Sequence, residues 1–249
     1  MKYYHLRYPW GSAWTGMMLF CGEKNILLDS AVPEAEEFLT KELAAIGLRL
    51  ENIDIVANTH SHGDHTGLNE TLRSAGAEIR QVKDGDLLDG GDYQLEVIAT
   101  PGHTPDSVCF LEPGSGILFT GDAFEGRGTR YAGIALYQNP AALLETLKKI
   151  QFLVQQNHIR SMYLGHSYDN TGGVVTGLDL QPFLSRCSQT VIDYERFLRS
   201  LPLDTPIEEA AHKLRERYGI SDDLIDPESA KMTVNAHRRF PLASALAAP

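Results

Sequence analysis

An α/β fold with a helical carboxy-terminal extension is predicted by three observations on this 249-residue chain. Short apolar strand-like runs alternate with amphipathic helical stretches through the first 180 residues. The chain opens on an antiparallel pair, and from Gln181 onward the pattern is helical. At this length one α/β domain with an appendage can bury a sizeable core. We place the boundary so that residues 1–180 form the first domain and residues 181–249 a helical extension packed on it.

Residues 3–8 and 17–21 read as strands joined by a short loop that holds both tryptophans, Trp10 and Trp14, and a turn at 22–25 leads into a third strand ending at Asp29. Residues 33–46 predict a helix, with Pro33 in the first turn, Phe38, Leu39, Leu43 and Ile46 at helical spacing, and Gly47 as the stop. A strand over 53–58 delivers a histidine-rich loop, and a helix over 67–75 follows it. Residues 77–81 and 93–99 are strand-like; the aspartate-rich turns between them lack the ligand spacing and terminal Glu of a calcium loop. A hairpin over 107–120 turns at Pro113-Gly114-Ser115-Gly116. Asn139 caps and Pro140 opens a helix to about residue 156, with Leu143, Leu144, Leu147, Ile150 and Val154 on its core face, and 159–164 returns as a strand. Helices over 182–200 and 207–218 precede a polar stretch and a small-residue tail, and His212 and His237 read as surface residues.

The stretch Thr59-His60-Ser61-His62-Gly63-Asp64-His65 places three imidazoles and a carboxylate within six positions, in a chain with only nine histidines. Alternate side chains of an extended segment point the same way, so His60 and His62 can hold one ion while the turn at Gly63 swings Asp64 and His65 toward a second. Neutral imidazole and carboxylate suit zinc, and iron or manganese as well. Downstream lie Pro101-Gly102-His103, Thr120-Gly121-Asp122 and Gly165-His166.

These four ordered motifs resemble the metallo-β-lactamase superfamily, a family of αββα hydrolases, over residues 19–167. The resemblance implies an αββα sandwich in which His60, His62 and His103 bind one metal and Asp64, His65 and His166 a second. Asp122 and a hydroxide would bridge them. Residues 1–180 would then be the hydrolase domain. Two divalent cations against Asp64, Asp122 and the hydroxide leave about one positive charge to attract a carbonyl oxygen, and Asp64 is the candidate catalytic proton carrier. An aspartate at position 122 matches the glyoxalase II-like thioesterases and lactonases rather than true β-lactamases, which implies hydrolysis of a carboxylic thioester, ester or lactone. Two features depart from those branches: Glu125 stands where lactonases often have Tyr, and the basic residues by which glyoxalase II grips glutathione are not recognisable. A phosphodiesterase of the same fold and a mononuclear iron thiol dioxygenase are the alternatives. Arg127 and Arg130, shortly after Asp122, are candidates to hold a substrate carboxylate or phosphate; Tyr168 and Trp14 are further candidates for substrate contact.

With 22 basic against 33 acidic residues, the net charge of −11 disfavours a nucleic-acid substrate. The three cysteines are far apart in apolar or helical patterns, which implies neither a disulfide framework nor a cysteine-metal site. No run is long enough to span a bilayer and no apolar signal core opens the chain. We therefore expect a cytoplasmic enzyme with two zinc ions, acting on a small acyl substrate without nucleic-acid or membrane partners; a homodimer is compatible with this.

Overall fold

The structure, a computed structural model, describes residues 1–10, 13–124, 135–166, 172–219 and 227–242. Strands β1 (Lys2–Trp10), β2 (Ala13–Cys21), β3 (Asn25–Leu28), β4 (Ile55–Ala57) and β5 (Glu78–Arg80) form one sheet in that spatial order. Strands β6 (Leu87–Asp89), β7 (Gln94–Ala99), β8 (Val108–Glu112), β9 (Ile117–Phe119), β10 (Ser161–Tyr163) and β11 (Val174–Thr176) form the second, also in consecutive order. Pairs β3–β4, β4–β5 and β9–β10 are parallel, and the other pairs antiparallel.

The two-residue period of β2 shows why four layers form. Met18 and Phe20 turn into a core shared by both sheets, with Ile26, Leu28, Val97, Phe110 and Phe119. Met17 and Leu19 turn the opposite way, under Leu39 and Leu43 of helix α1 (Glu36–Ala45) and near Leu68 and Leu72. All four β2 side chains are fully buried, and each such burial contributes about 1.5–3 kcal/mol. Slipping the register by one residue would exchange both faces, so the pattern fixes it. On the far side, Cys109, Leu118 and Met162 pack against Leu143, Leu147 and Ile150 of helix α4 (Pro140–Gln155, numbered to follow α2, Gly63–Thr66, and α3, Asn69–Ser74). The same cluster continues into α5 (Leu180–Ser200), α6 (Ile207–Tyr218) and α7 (Pro227–Arg239). The result is the αββα order with helices added at the carboxy-terminal end.

Several elements differ from expectation. β1 and β2 run on through Pro9 and Trp14, which pair directly, where a loop was expected. Proline is tolerated there because β1 is an edge strand. The helix expected from residue 67 begins earlier, as the single turn α2, and resumes as α3. β6 and α7 occupy stretches expected as turn and polar stretch, and β11 one for which no element was predicted. No helix among the described residues is long and apolar enough to cross a membrane.

Candidate metal centre

The histidine-rich loop leaves the carboxyl end of β4, Asp122 follows β9 and His166 follows β10, so three of the four motifs emerge where the parallel strands end. His103 comes from the β7–β8 connection. Two quartets result: His60, His62, His103 and Asp122 in one, Asp64, His65, Asp122 and His166 in the other, with the ligand atoms of each within 4.8 Å of one another. Asp122 belongs to both. The crossing of the β9 and β10 loops demands glycine twice: a Cβ on Gly121 (φ 48°) would lie 2.3 Å from Thr59 Oγ1, and one on Gly165 2.7 Å from Asp122 Oδ1.

Four rings have one nitrogen committed to a protein acceptor, which leaves the other as a lone pair. His60 Nδ1 meets Thr59 Oγ1 at 3.1 Å, His65 Nδ1 meets Asp29 Oδ2 at 2.7 Å, His103 Nδ1 meets the Leu136 carbonyl at 2.8 Å, and His166 Nδ1 meets the Trp14 carbonyl at 2.7 Å. The Nε2 atoms of these rings then converge. His62 Nδ1 lies 2.9 Å from His60 Nε2 and 3.1 Å from His103 Nε2. In the second quartet His166 Nε2 is 3.1 Å from Asp64 Oδ2, and His65 Nε2 is 3.3 Å from Asp122 Oδ1. A tetrahedral ion with bonds of about 2.0–2.1 Å spaces its ligands by roughly 3.4 Å, so these separations suit one.

Among the described residues of the two quartets, two buried atoms are orphaned: His65 Nε2 and Asp122 Oδ1 face each other at 3.3 Å without a hydrogen-bond partner. A cation between them would satisfy both. Burial, then the neighbouring imidazoles, push His60 down to about 2, and burial lowers His62 as well, so both are neutral as ligands must be. Burial opposes ionisation of Asp122, but His166 and His65 hold its carboxyl well below the usual range; Asp64 is brought to about 2 in the same way, chiefly by His166. Against their own burial, the carboxylates raise His65 to about 10 and His166 well above its ordinary value. The second quartet therefore calls for positive charge, which two protons or one divalent cation can supply.

Asp29 is the residue that sequence reasoning missed. It is fully buried, left-handed (φ 60°), and receives Thr59 N–H at 2.7 Å, Thr59 Oγ1 at 2.9 Å and His65 Nδ1. Burial pushes its carboxyl up, and His65 and Thr59 oppose that rise. The available signal was a carboxylate directly ending the apolar strand Ile26-Leu27-Leu28. Asn58, Asn69 and Ser30 brace the same loop, with Asn58 Nδ2 2.7 Å from the His65 carbonyl. Trp14 meets the site through its carbonyl; its half-buried indole packs edge-on to His5 at 5.2 Å and beneath Arg7. Arg127, Arg130 and Tyr168, and Glu125 with them, lie outside the described residues. His237, expected at the surface, is buried at 4% exposure.

A four-layer αββα sandwich whose strand ends gather two His/Asp quartets around a shared aspartate defines the class as αββα proteins with a candidate metal centre at the strand ends. The chain belongs to the metallo-beta-lactamase superfamily, whose model matches residues 17–80 and 77–171. A hydroxyacylglutathione hydrolase of Maricaulis maris is 33% identical over 132 residues, 47% of this chain and 49% of that protein. One of Brucella anthropi is 28% identical over 206 residues, 72% of this chain and 76% of that protein. The match thus spans about half the length of the first relative. Among solved structures, a metallo-beta-lactamase family protein of Thermus thermophilus superposes with TM-score 0.73 at 20% identity, over 95% of this chain and 93% of that one. ETHE1 from Myxococcus xanthus superposes with TM-score 0.61 at 24% identity, over 89% and 100%. At these identities the structural likeness concerns the fold.

Proposed function

We propose that the chain is a dinuclear metal-dependent hydrolase of small carboxylic thioesters, with esters and lactones as related substrates. The observation that carries this is Asp122, whose one carboxylate faces both quartets, 3.6 Å from His103 Nε2 and 3.3 Å from His65 Nε2. His60, His62 and His103 would hold the first ion, Asp64, His65 and His166 the second, with zinc as the fitting metal. When bound, two such cations supply Lewis acidity toward a carbonyl oxygen and a water-derived nucleophile near neutral pH. The chain's own residues do the rest. Asp29, Thr59, Leu136 and Trp14 fix the imidazole tautomers. Asp64, with 18% of its side chain exposed, would be the proton carrier, its ionised carboxylate taking a proton and passing it to the leaving group. Arg127, Arg130, Tyr168 and Trp14 are proposed for substrate contact. The names of the two curated relatives favour a thioester over the other acyl classes.

Elemental analysis of protein purified without chelator should give close to two transition metals per chain. At fixed metal loading, turnover should rank acyl thioesters, esters or lactones above β-lactams, with none on RNA or DNA. Efficient turnover of bis(p-nitrophenyl) phosphate with no acyl hydrolysis overturns the substrate class; a reproducible single iron per chain overturns the dinuclear assignment.

A further inference from the structure

The carboxy-terminal helices carry a buried polar chain that the proposed chemistry does not use. Glu195 of α5, His237 of α7 and Tyr137 are 2%, 4% and 0% exposed. His237 Nδ1 lies 2.5 Å from Glu195 Oε2, and His237 Nε2 lies 2.7 Å from the Tyr137 hydroxyl. Glu195 also accepts Arg199 Nε at 2.5 Å and the Leu242 N–H at 3.2 Å. Burial raises its carboxyl, but the bonds from His237 and Arg199 outweigh this and hold it below its usual range. An ionised Glu195 only accepts, so His237 Nδ1 carries the proton and Nε2 can take the Tyr137 O–H. Such a network in a dry core is costly to leave half-made.

Its position gives it a use. Tyr137 directly follows Leu136, whose carbonyl takes the His103 Nδ1–H. Thr233 lies four residues before His237, on the same face of α7, and its hydroxyl donates to the Ala135 carbonyl at 2.8 Å. On its other side the same short segment grips the histidine loop: Gln138 N donates to the Gly102 carbonyl at 2.8 Å and Asn139 N to the same oxygen at 3.1 Å. Residues 135–139 are thus held between α7 and the His103 loop.

We infer that Tyr137, His237 and Thr233 are positioning residues through which the carboxy-terminal helices aim the His103 imidazole at the first metal. This rests on the metal assignment proposed above. It also gives the extension a role at the centre that is independent of any contact with substrate. The acceptor of His103 Nδ1–H is a main-chain carbonyl in an irregular segment with no strand or helix of its own. Two anchors one helical turn apart on α7 supply the rigidity that the segment lacks.

The test compares the full chain with Tyr137→Phe, Thr233→Val and, as an exposed control on α6, His212→Ala (67% of the side chain exposed). Cobalt(II) affinity is measured by chelator competition, the exchangeable imidazole N–H signals of the cobalt form by proton NMR, and thermal stability on the metal-free chain. Tyr137→Phe and Thr233→Val should each weaken first-site cobalt binding by about ten-fold, the lower end for groups that orient ligands, and speed solvent exchange of one imidazole N–H. His212→Ala should do neither. If Tyr137→Phe does not fold, Thr233→Val alone decides. Variants that melt earlier yet keep wild-type cobalt affinity and imidazole signals would overturn the inference and leave the relay a packing element. A wild-type chain that binds no cobalt would instead overturn the metal assignment, and this inference with it.

Discussion

Asp29→Asn changes one atom and isolates what the buried carboxylate does for His65. Asparagine tolerates the left-handed backbone at φ 60° as well as aspartate does, so the main chain is not perturbed. Its carbonyl oxygen can still accept the Thr59 N–H, now 2.7 Å from Asp29 Oδ1. The amide group then occupies the site of Oδ2, 2.7 Å from His65 Nδ1, and sets donor against donor. The imidazole escapes by moving its proton to Nε2, the atom that faces Asp122, which removes the lone pair a metal needs. Loss of one charge-assisted hydrogen bond costs about 1.5–3 kcal/mol of stability. Affinity for the second ion should fall about 10–100-fold, or about 1.4–2.8 kcal/mol, while the three-histidine quartet keeps its ion. Stepwise zinc titration against a chromophoric chelator, with urea unfolding of the metal-free chain, measures both. Wild-type affinity for the second zinc in Asp29→Asn would refute the tautomer argument.

Asp122→Ala or His62→Ala should abolish hydrolysis and lower metal content while circular dichroism stays near wild type, since loops hold the site and strands hold the core; near-normal turnover at matched metal loading would show that the ligand assignment is wrong. His5 supplies a pH prediction away from the ligands. Burial, outweighing its bond to the Leu164 carbonyl, brings it from the ordinary 6.5 to about 4. The folded state therefore prefers the neutral ring, and the corresponding stability is fully present above about pH 6.5 and is lost as the pH falls to about 4. That fall corresponds to about 3 kcal/mol. Urea midpoints of the metal-free chain across this window should decline more steeply for wild type than for His5→Gln, and parallel curves would refute the assignment.

The site was more legible in the sequence than the fold around it. His60, His62, Asp64, His65, His103, Asp122 and His166 are the residues the structure gathers, and they could be read because the chain has only nine histidines and the order of the four motifs is informative. Asp29 stayed hidden because one carboxylate after a strand also reads as an ordinary turn residue; its meaning comes from His65, 36 positions on. Strands β6 and β11 have three residues each, too short to show a period. Helix α7 reads as polar because its buried face is made of Ala230, Thr233, Val234 and His237, small or polar side chains that satisfy themselves inside the bundle. His237 followed from the same cause: its burial depends on Tyr137, 100 positions away.

The long spacing within the second quartet has a consequence for the nascent chain. Asp64 and His166 meet across 102 residues, a stretch that a ribosome adds in about 5–20 s. The three histidines of the first quartet are all available once His103 has emerged, 41 residues after His62. On the metal assignment proposed above, loading would run in one direction: the histidines of the first site are all in place once His103 has emerged, whereas the second site is complete only after β10 and His166. A translation product that stops before His166 would carry the three histidines of the first site without the last ligand of the second.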